Sequence, residues 1–341
     1  MKLLSKSHSS KIICALIVIS LVLLVLVGCK KSTAVINEPI KILYSEWPPD
    51  LIIYLAQEKG FYKKYGANVE LVQISDFEEL FAKIANHEAN IWPITLLDTV
   101  KEFTGGKDWQ VILLEDYSEG ADAILVNNSS DINNPADLRN KKVGVEKGTV
   151  GEFFLNIILN RDGLQLKDLE IVDLAFDEIP NAMASGEIDA GVTYEPSITQ
   201  ALSSGAKVLV DTKTEKNTIV DVFVADKTEI EDNKDQYIAV LNALIEAQEY
   251  FNKYPEESAQ IMSVPFNITK EDLLAAFNNL RIPDYRENET VFSRTSASLS
   301  LFSLAKQAEQ YMNSQGLIDV SKYYNMDSLI SKLINNVKIT N

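Results

Sequence analysis

Acidic and aromatic side chains follow most of the apolar segments that the sequence marks as strands. Trp47 comes after the first of these segments, directly behind Glu46. Pro48 and Pro49 hold it extended, because proline restricts the preceding residue and offers no amide hydrogen to a strand ladder. A carboxylate beside an indole suits a planar cation that stacks on the ring and donates hydrogen bonds in its own plane. The alternative is that the Trp47 ring belongs to the core.

Ligands of open parallel sheets bind outside the carboxyl ends of the strands. The residues that this sequence places there are mostly acidic, aromatic or hydroxyl-bearing, with Lys147 as the only basic one. Taken alone, each acid fits a solvated loop or a helix cap better than a ligand contact; together they predict a cleft that prefers positive or hydrogen-rich ligands. The set is Glu46, Trp47, Ser75, Asp76, Thr95, Asp98, Asp116, Tyr117, Ser118, Asp122, Glu146, Thr149, Tyr194, Glu195 and Asp221.

Thr149 marks a second kind of candidate site. It follows Gly148 and stands at the expected N-cap of a helix that begins at Val150. The first amide hydrogens of a helix have no partner within it, so such a start can bind an anion. An ordinary capped helix explains the segment equally well.

The order of apolar and amphipathic segments predicts the fold class. The chain alternates between a strand at 40–45, a helix through 51–66, a strand at 68–75 and a helix that starts at Phe77. This alternation predicts open, mostly parallel sheets flanked by helices. Stretches that begin at Glu70 and Glu170 run in step, which indicates two similar lobes. Gly66 and Gly163 stand where helices should end.

Amphipathic helices dominate the C-terminal part and predict a scaffold packed onto a lobe. Thr269 has the position of an N-cap, and Gly316 that of a helix stop.

The first 28 residues read as a lipoprotein signal peptide. Lysines precede the apolar run from Ile12 to Val27, and Val27 and Gly28 lead into Cys29, the residue expected to carry the lipid. An uncleaved anchor is the alternative, although about sixteen apolar residues fall short of the roughly 20 that a spanning helix needs. Residues 29–38 would form the lipidated tether.

Composition excludes several classes of function. Removing the three signal lysines from 32 basic side chains leaves 29 against 49 acidic ones, a net charge of −20, which repels nucleic acid. The mature chain would keep Cys29 as its only cysteine and His87 as its only histidine. Metal sites, disulfides and nucleophile–histidine pairs are therefore not expected.

Three segments carry a resemblance to a known family. "LAQEKGFYKKYGANVELV", "DINNPADLRNKKVGVEKGT" and "AMASGEIDAGVTYEPSITQAL", in this order behind the Cys29 motif, resemble the nitrate/sulfonate/taurine-type substrate-binding proteins of ABC importers. The resemblance spans roughly residues 40–226. It implies a two-lobed α/β fold of the periplasmic-binding-protein type II, which closes on a small solute and presents it to a permease driven by an ATPase.

Within that family, "YSEWPPD", "EDYSEGADAI" and "IVDVFV" look most like a branch found near urea and guanidine metabolism. Carried over by position, the resemblance places five residues around the ligand. His87, Asn90 and Asn140 depart from the family pattern, which commonly has Gly, Asp and Gly at these positions. The five implied ligand residues are Trp47, Asp98, Asp122, Glu195 and Asp221.

The sequence thus predicts lobe 1 at 39–122 and 221–341, with lobe 2 at 123–220. The expected function is an extracytoplasmic, membrane-anchored and monomeric binding lipoprotein, with no cofactor and no catalytic residue, for guanidinium, an amidine, urea or an aminopyrimidine. The alternative ligand is an oxyanion such as nitrate, bicarbonate or a sulfonate. An enzyme of the pyrimidine-synthase type is less favoured, since a single histidine is available. The candidate binding residues are Glu46, Trp47, Thr95, Asp98, Asp122, Thr149, Glu195 and Asp221.

Overall fold

The computed structural model describes residues 38–75, 77–293, 300–319, 321–322 and 324–338. The predicted signal peptide 1–28, Cys29, all of the tether except Glu38, and Asp76 lie outside these residues. No helix in the described part of the chain is long and apolar enough to cross a membrane.

Six strands build the first lobe as two sheets. A parallel bridge between Ile42 and Ile91 links these sheets. In the smaller sheet, β1 (Ile40–Tyr44) pairs in parallel with β2 (Val69–Gln73). The larger sheet contains β3 (Trp92–Thr95), β4 (Trp109–Ser118), β10 (Val220–Asp226) and β11 (Leu280–Arg281), in the order β11-β4-β10-β3.

The second lobe has one sheet of five strands. The strand order is 7-6-8-5-9. The pairs β6–β7 and β6–β8 are parallel, whereas β5 runs antiparallel to β8 and β9. The bounds are Asp122–Asn127 for β5, Lys142–Val145 for β6, Glu170–Asp173 for β7, Ala190–Tyr194 for β8 and Ala206–Asp211 for β9.

Helices cover the sheets of both lobes. The strand β4 is buried along almost its whole length, as expected of a strand covered on both faces. The described α-helices are α1 (Leu51–Glu58), α2 (Phe61–Tyr65), α3 (Phe77–Ala85), α4 (Leu96–Thr104), α5 (Val150–Arg161), α6 (Ile179–Ser185), α7 (Ser197–Ser203), α8 (Lys227–Asp232), α9 (Lys234–Lys253), α10 (Pro255–Ser263), α11 (Lys270–Phe277), α12 (Tyr285–Val291) and α13 (Leu301–Ser314).

The predicted two-lobed α/β class is confirmed, but the sheets are mixed rather than mostly parallel. The chain leaves lobe 1 after β4 and returns through β10, so these two strands run antiparallel, as do β10 and β3. Strand-to-strand direction depends on where the chain crosses between lobes, and the local alternation of strands and helices does not encode that crossing.

Most of the predicted helix ends agree with the structure. Gly66 closes α2 with a φ of 75° and Gly316 follows α13 with a φ of 70°, the left-handed conformation that glycine adopts without strain. The Thr269 hydroxyl accepts a hydrogen bond from the Asp272 amide at 3.0 Å, which caps α11. Asn140 has a φ of 60°, consistent with the tolerance of asparagine for this conformation.

The two crossover segments are bonded to each other where they pass between the lobes. The hydroxyls of Ser118 and Thr212 lie 2.7 Å apart, and the Gly120 amide donates to Thr212 Oγ1 at 2.8 Å. Arg281 adds a second link, since it donates to Glu119 of the first crossover and to Asn217 of the second. These bonds fix the point about which the lobes are joined.

The close approach of α6 to the second sheet requires glycine in β8. A Cβ atom built on Gly191 would lie 2.3 Å from Ile179 Cγ2 and 3.2 Å from Met183 Sδ. We expect Gly191→Ala to lower the free energy of unfolding by about 1 to 3 kcal/mol through overpacking. Urea denaturation measures this change.

Gly151→Ala is the matched control within the same lobe. Its Cβ would meet no atom closer than 3.5 Å, and alanine is the better helix former. An unchanged urea midpoint for Gly191→Ala would contradict the packing described here.

Candidate functional site

The edge of the lobe 1 sheet gathers polar side chains from three strands. Asp221 of β10 lies opposite Thr95 of β3 and opposite Asp116 of β4. Directly opposite residues of antiparallel strands project from the same face of a sheet. The Thr95, Asp116 and Asp221 side chains therefore share one face at this edge.

A tight turn brings Asp50 to the same edge. Pro48–Asp50 forms one 3₁₀ turn, in which the Asp50 amide donates to the Trp47 carbonyl at 3.0 Å. The turn folds the Asp50 carboxylate back onto Ser45, whose hydroxyl donates to it at 2.8 Å. That hydroxyl also accepts from the Trp47 amide at 3.0 Å. The two prolines thus position Trp47 and Asp50 together.

Five carboxyls form what we call the buried acidic cluster: Asp50, Glu115, Asp116, Asp122 and Asp221. Four of these residues expose 7% of their surface or less, and Asp221 is half-buried. Both Glu115 oxygens, and one oxygen each of Asp116 and Asp221, are buried without a hydrogen-bond partner among the described residues. Buried polar groups are normally paired, so these atoms are candidates for contact with a ligand.

Trp47 lies next to this cluster. Its indole N–H is close enough to stabilise the Asp116 carboxylate but does not reach hydrogen-bond geometry, so Nε1 is also buried without a partner in the described structure. The ring is half-buried against the core. The Trp47 side chain is therefore neither fully buried in the core nor fully exposed at the surface.

Burial raises the pKa of every carboxyl in the cluster. The pKa of Asp122 rises to about 6 and that of Asp221 to about 7. For Glu115, Asp116 and Asp221, neighbouring carboxylates add to the effect of burial. The charged groups that act on these five are all carboxylates. Like charges at short range cannot all ionise, so the cluster retains protons near neutral pH.

The edge of the lobe 2 sheet contributes an aromatic pair. Tyr194, the last residue of β8, lies opposite Asp122 in β5 and stacks on Phe176 with ring centroids 4.2 Å apart and planes at 23°. The Thr193 hydroxyl donates to the Phe176 carbonyl at 2.8 Å and holds the loop that carries this ring. Burial raises the pKa of the Tyr194 phenol, and the carboxylates of Glu146, Asp122 and Asp177 raise it further.

The residues around the helix start at Thr149 bond to one another. Its hydroxyl donates to the Glu146 carbonyl at 2.7 Å and makes no cap to the helix. The buried Glu152 carboxylate instead accepts from the Gly148 amide at 2.9 Å and from the Tyr311 hydroxyl at 2.6 Å. A carboxylate at this helix start opposes the binding of a second anion there.

The fold and sequence of this chain match known proteins. A family model for NMT1/THI5-like proteins matches residues 47–258. The chain belongs to the NMT1/THI5-like family. A Bacillus subtilis protein provisionally named for binding aliphatic sulfonates is 27% identical over 62% of this chain and 65% of its own length. A Haemophilus influenzae protein provisionally named for thiamine biosynthesis is 26% identical over 62% of this chain and 68% of its own length.

A crystal structure supports the same fold. The periplasmic aliphatic sulphonate binding protein SsuA of Escherichia coli superimposes with a TM-score of 0.70 at 18% identity, covering 87% of this chain and 92% of that one. This likeness confirms the periplasmic-binding-protein fold. The sulfonate names fit the predicted oxyanion alternative better than the urea and guanidine branch, which therefore stays a prediction.

The structure brings together five of the eight predicted site residues. Trp47, Asp122 and Asp221 lie at the acidic cluster; Thr95 faces Asp221, and the Asp98 carboxylate acts on the pKa of Asp221. Asp98 also accepts from the Thr95 hydroxyl at 2.7 Å, so this pair starts α4 as well.

The other three predicted residues have different surroundings in this family member. Glu46 is exposed, and Thr149 bonds as described above. The Glu195 carboxylate is bonded to the start of α7 through the amide and hydroxyl of Thr199, at 3.1 and 2.9 Å, and to Asn279 at 3.3 Å. We assign Glu195 a structural role that joins the two lobes, whereas its role in ligand binding remains a prediction.

Sequence reasoning missed Asp50 and Glu115. The sequence does contain a signal for Asp50. This acid follows two prolines, three residues after Trp47, where a tight turn can fold its carboxylate back onto Ser45. Glu115 is the extra residue of an irregularity in β4, since Leu114 pairs with Val222 and Asp116 with Asp221, and the sequence does not mark this break in the alternation of strand faces. Nothing in the sequence indicates that Asp50 lies close enough to interact with the Glu115 carboxyl.

The basic side chains near the edge differ in their surroundings. Arg281 stacks on Tyr117, with its guanidinium carbon 3.9 Å from the ring centroid, and bonds to Glu119 and Glu287. Lys147 is exposed. His87, in an exposed turn with a φ of 57°, is also distant from this chemistry, and no group of described residues has the arrangement of a metal site.

A surface groove of about 480 Å³ lies away from the cluster. Gln110 lines it together with Lys332 and Leu333 of the C-terminal segment. Gln110 and Asp116 stand six residues apart on β4, or about 20 Å at 3.4 Å per residue. The groove therefore does not belong to the candidate site.

We expect the ligand-free protein to lose stability as pH rises. The folded pKa values of Asp122 and Asp221 lie above the ordinary value of 3.8, so between about pH 4 and 7 the folded state binds more protons than the unfolded chain. Their stabilising contribution is complete below pH 4 and is lost as pH rises through 6 to 7. Asp221→Asn should reduce the fall between pH 5 and 8 by on the order of 2 kcal/mol, measured by urea unfolding.

Asp131→Asn serves as the control, because that side chain is 91% exposed. Equal pH slopes for the native protein and Asp221→Asn would contradict the proposed protonation of the cluster.

Proposed function

We propose that this chain is the extracytoplasmic binding component of an ABC importer and captures a small nitrogenous cation of the guanidinium or amidinium type. Membership in the family and the fold of a sulphonate-binding protein support the role in solute binding. The chain spans 65% of the B. subtilis relative, so the role of that protein transfers only as a proposal. Urea and an aminopyrimidine, which are also rich in N–H donors, are the closest variants of this ligand.

The observation that carries the choice of ligand is the buried acidic cluster. Glu115 and Asp116 are each 1% exposed and carry oxygens that have no hydrogen-bond partner among the described residues, and the charged groups that most raise their pKa values are carboxylates. A planar cation with several N–H donors would supply both the missing charge and the missing hydrogen bonds. Burying these acids without such a ligand is unfavourable, and binding would relieve that cost.

A sulfonate or other oxyanion is the second candidate. The names of the B. subtilis relative and the E. coli structure favour it, and on the comparisons alone it would rank first. The residues of this chain oppose it. Glu152 places a buried carboxylate beside the helix start that would hold an anion, and Arg281 is bonded to two carboxylates.

An enzymatic role has less support. The provisional name of the H. influenzae relative, for thiamine biosynthesis, is the observation that favours an enzyme. His87 lies in an exposed turn before β3, whereas the acidic cluster lies at the other end of that strand beside Thr95, so His87 is not placed to act there as a general base.

Binding at this edge would favour closure of the lobes. Asp122 begins the first strand of lobe 2, while its carboxylate acts on Asp116 and Asp221 of lobe 1. A ligand that contacts both sides gains its full set of bonds only when they approach, so it shifts the equilibrium toward the closed form. A lipid on Cys29 would hold the protein at the outer face of the membrane, beside a permease and its ATPase.

Thermal stability separates the ligand classes. We expect guanidinium, kept too dilute to denature, and methylguanidine to raise the melting temperature, whereas nitrate, bicarbonate and taurine do not. A ligand at a hundred times its Kd adds about 2.7 kcal/mol to stability. Asp116→Asn should weaken guanidinium binding by about 10- to 100-fold, because it removes a charged acceptor.

Asp131→Asn removes an exposed acid and should leave binding unchanged. Stabilisation by taurine or nitrate alone would instead assign the chain to the oxyanion class.

Proton release gives an independent test. Guanidinium, like the arginine side chain, stays charged at these pH values, so it must displace a proton from a protonated cluster. We expect about one proton released per cation near pH 6.5 and none near pH 8.5, measured by calorimetry in buffers of different ionisation enthalpy. Because it displaces a proton, guanidinium should bind more tightly as pH rises. An oxyanion that accepts hydrogen bonds from protonated acids would instead bind more weakly as pH rises.

A further inference from the structure

The stacked rings of Phe176 and Tyr194 lie outside the buried acidic cluster. Phe176 follows β7 and Tyr194 ends β8, and β7 and β8 both run parallel to β6 between them. Both rings therefore lie at the carboxyl edge of the lobe 2 sheet. That edge is where ligands of α/β sheets bind.

The pair is fixed yet incompletely buried. The bond from the Thr193 hydroxyl holds the Phe176 backbone, and the stack at 4.2 Å fixes the two rings against each other. Both residues are nevertheless half-buried, whereas Phe154 in the core of the same lobe is fully buried. Held aromatic surface at a strand edge is typical of a contact surface rather than of core packing.

Asp122 connects this pair to the acidic cluster. It lies opposite Tyr194 in the strand register, so both side chains project from the same face. It also acts on Asp116 and Asp221 across the crossover. Trp47 adjoins Asp116 on the lobe 1 side. One carboxylate thus stands between an indole from lobe 1 and a stacked phenol from lobe 2.

We propose, on the basis of the function proposed above, that the Phe176–Tyr194 pair is the second aromatic wall of the site and that it and Trp47 enclose a planar monocation from opposite lobes. The negative faces of aromatic rings attract cations, and a flat ligand contacts two rings at once. The carboxylates bond to the edge of the ligand while the rings cover its faces. The ligand class is therefore a flat cation such as guanidinium, in preference to a tetrahedral ammonium.

Calorimetry with guanidinium and methylammonium as probes tests this wall. We expect Tyr194→Leu and Phe176→Leu to weaken guanidinium binding by about 3- to 30-fold, the range of a cation–π contact. The ratio of guanidinium to methylammonium affinity should fall in the same variants. Tyr194→Phe keeps the ring and should stay within about twofold of the native protein. A purely structural effect would lower the urea midpoint without changing the ratio.

Tyr254→Leu is the matched control. Tyr254 is 42% exposed and pairs with Tyr250 at 4.9 Å, at the junction of α9 and α10 in lobe 1. Removing this ring should change neither affinity. Should a leucine variant fail to fold, the native protein still reports: guanidinium should perturb the tyrosine absorbance, and Tyr194→Phe, but not Tyr254→Phe, should remove most of that change.

The outcomes separate this proposal from the function on which it rests. If guanidinium binds, depends on Asp116 and is indifferent to Phe176→Leu and Tyr194→Leu, the aromatic wall is wrong and the proposed function stands. If neither cation binds the native protein, both are wrong.

Discussion

The unfavourable burial of several neighbouring carboxyls is the constraint on which the candidate site depends. An isolated buried carboxylate is costly, and a second one beside it raises the cost of ionising either. The chain tolerates this arrangement because other contacts hold the acids in place. Ser45 bonds to Asp50, the β10 register sets Asp221 opposite Asp116, and the surrounding strands are fully packed. The site is therefore a rigid set of acceptors that folding creates and that only protons or a cation can neutralise.

The crossovers give this constraint a mechanical consequence. The bond between Ser118 and Thr212, together with the Arg281 contacts, fixes the crossing point only a few residues from Asp122. Asp122 therefore stays near lobe 1 while the rest of its strand belongs to lobe 2. The cluster lies close to the axis about which the lobes are joined. A ligand of the proposed kind, by neutralising the charge there, would therefore change the larger distance between Trp47 and the Phe176–Tyr194 pair. Differential contact in the closed form, rather than affinity as such, determines that influence.

The sequence predicts the residues at strand ends but not the contacts that depend on distant segments. Trp47, Asp122 and Asp221 follow from strand ends and from the family resemblance, and the structure gathers them. Asp50 and Glu115 meet only because a turn and a strand face converge. Thr149 does start a helix, as predicted, yet the Glu152 carboxylate lies beside that start and accepts hydrogen bonds from the Gly148 amide and the Tyr311 hydroxyl. Tyr311 lies 159 positions further along the chain, a separation over which local patterns carry no information.

The contrast between sulfonate-binding relatives and an acid-lined edge is a contrast of side chains within one fold. The backbone presents the same elements in either case: strand ends, helix starts and two lobes joined by crossovers. Which of these elements holds the ligand depends on the residues that occupy them. Here a carboxylate lies beside the helix start, and the strand ends carry carboxyl oxygens that have no hydrogen-bond partner among the described residues. When ionised, both sets of carboxyls lower the electrostatic potential around them, so they act together against an anion and in favour of a cation.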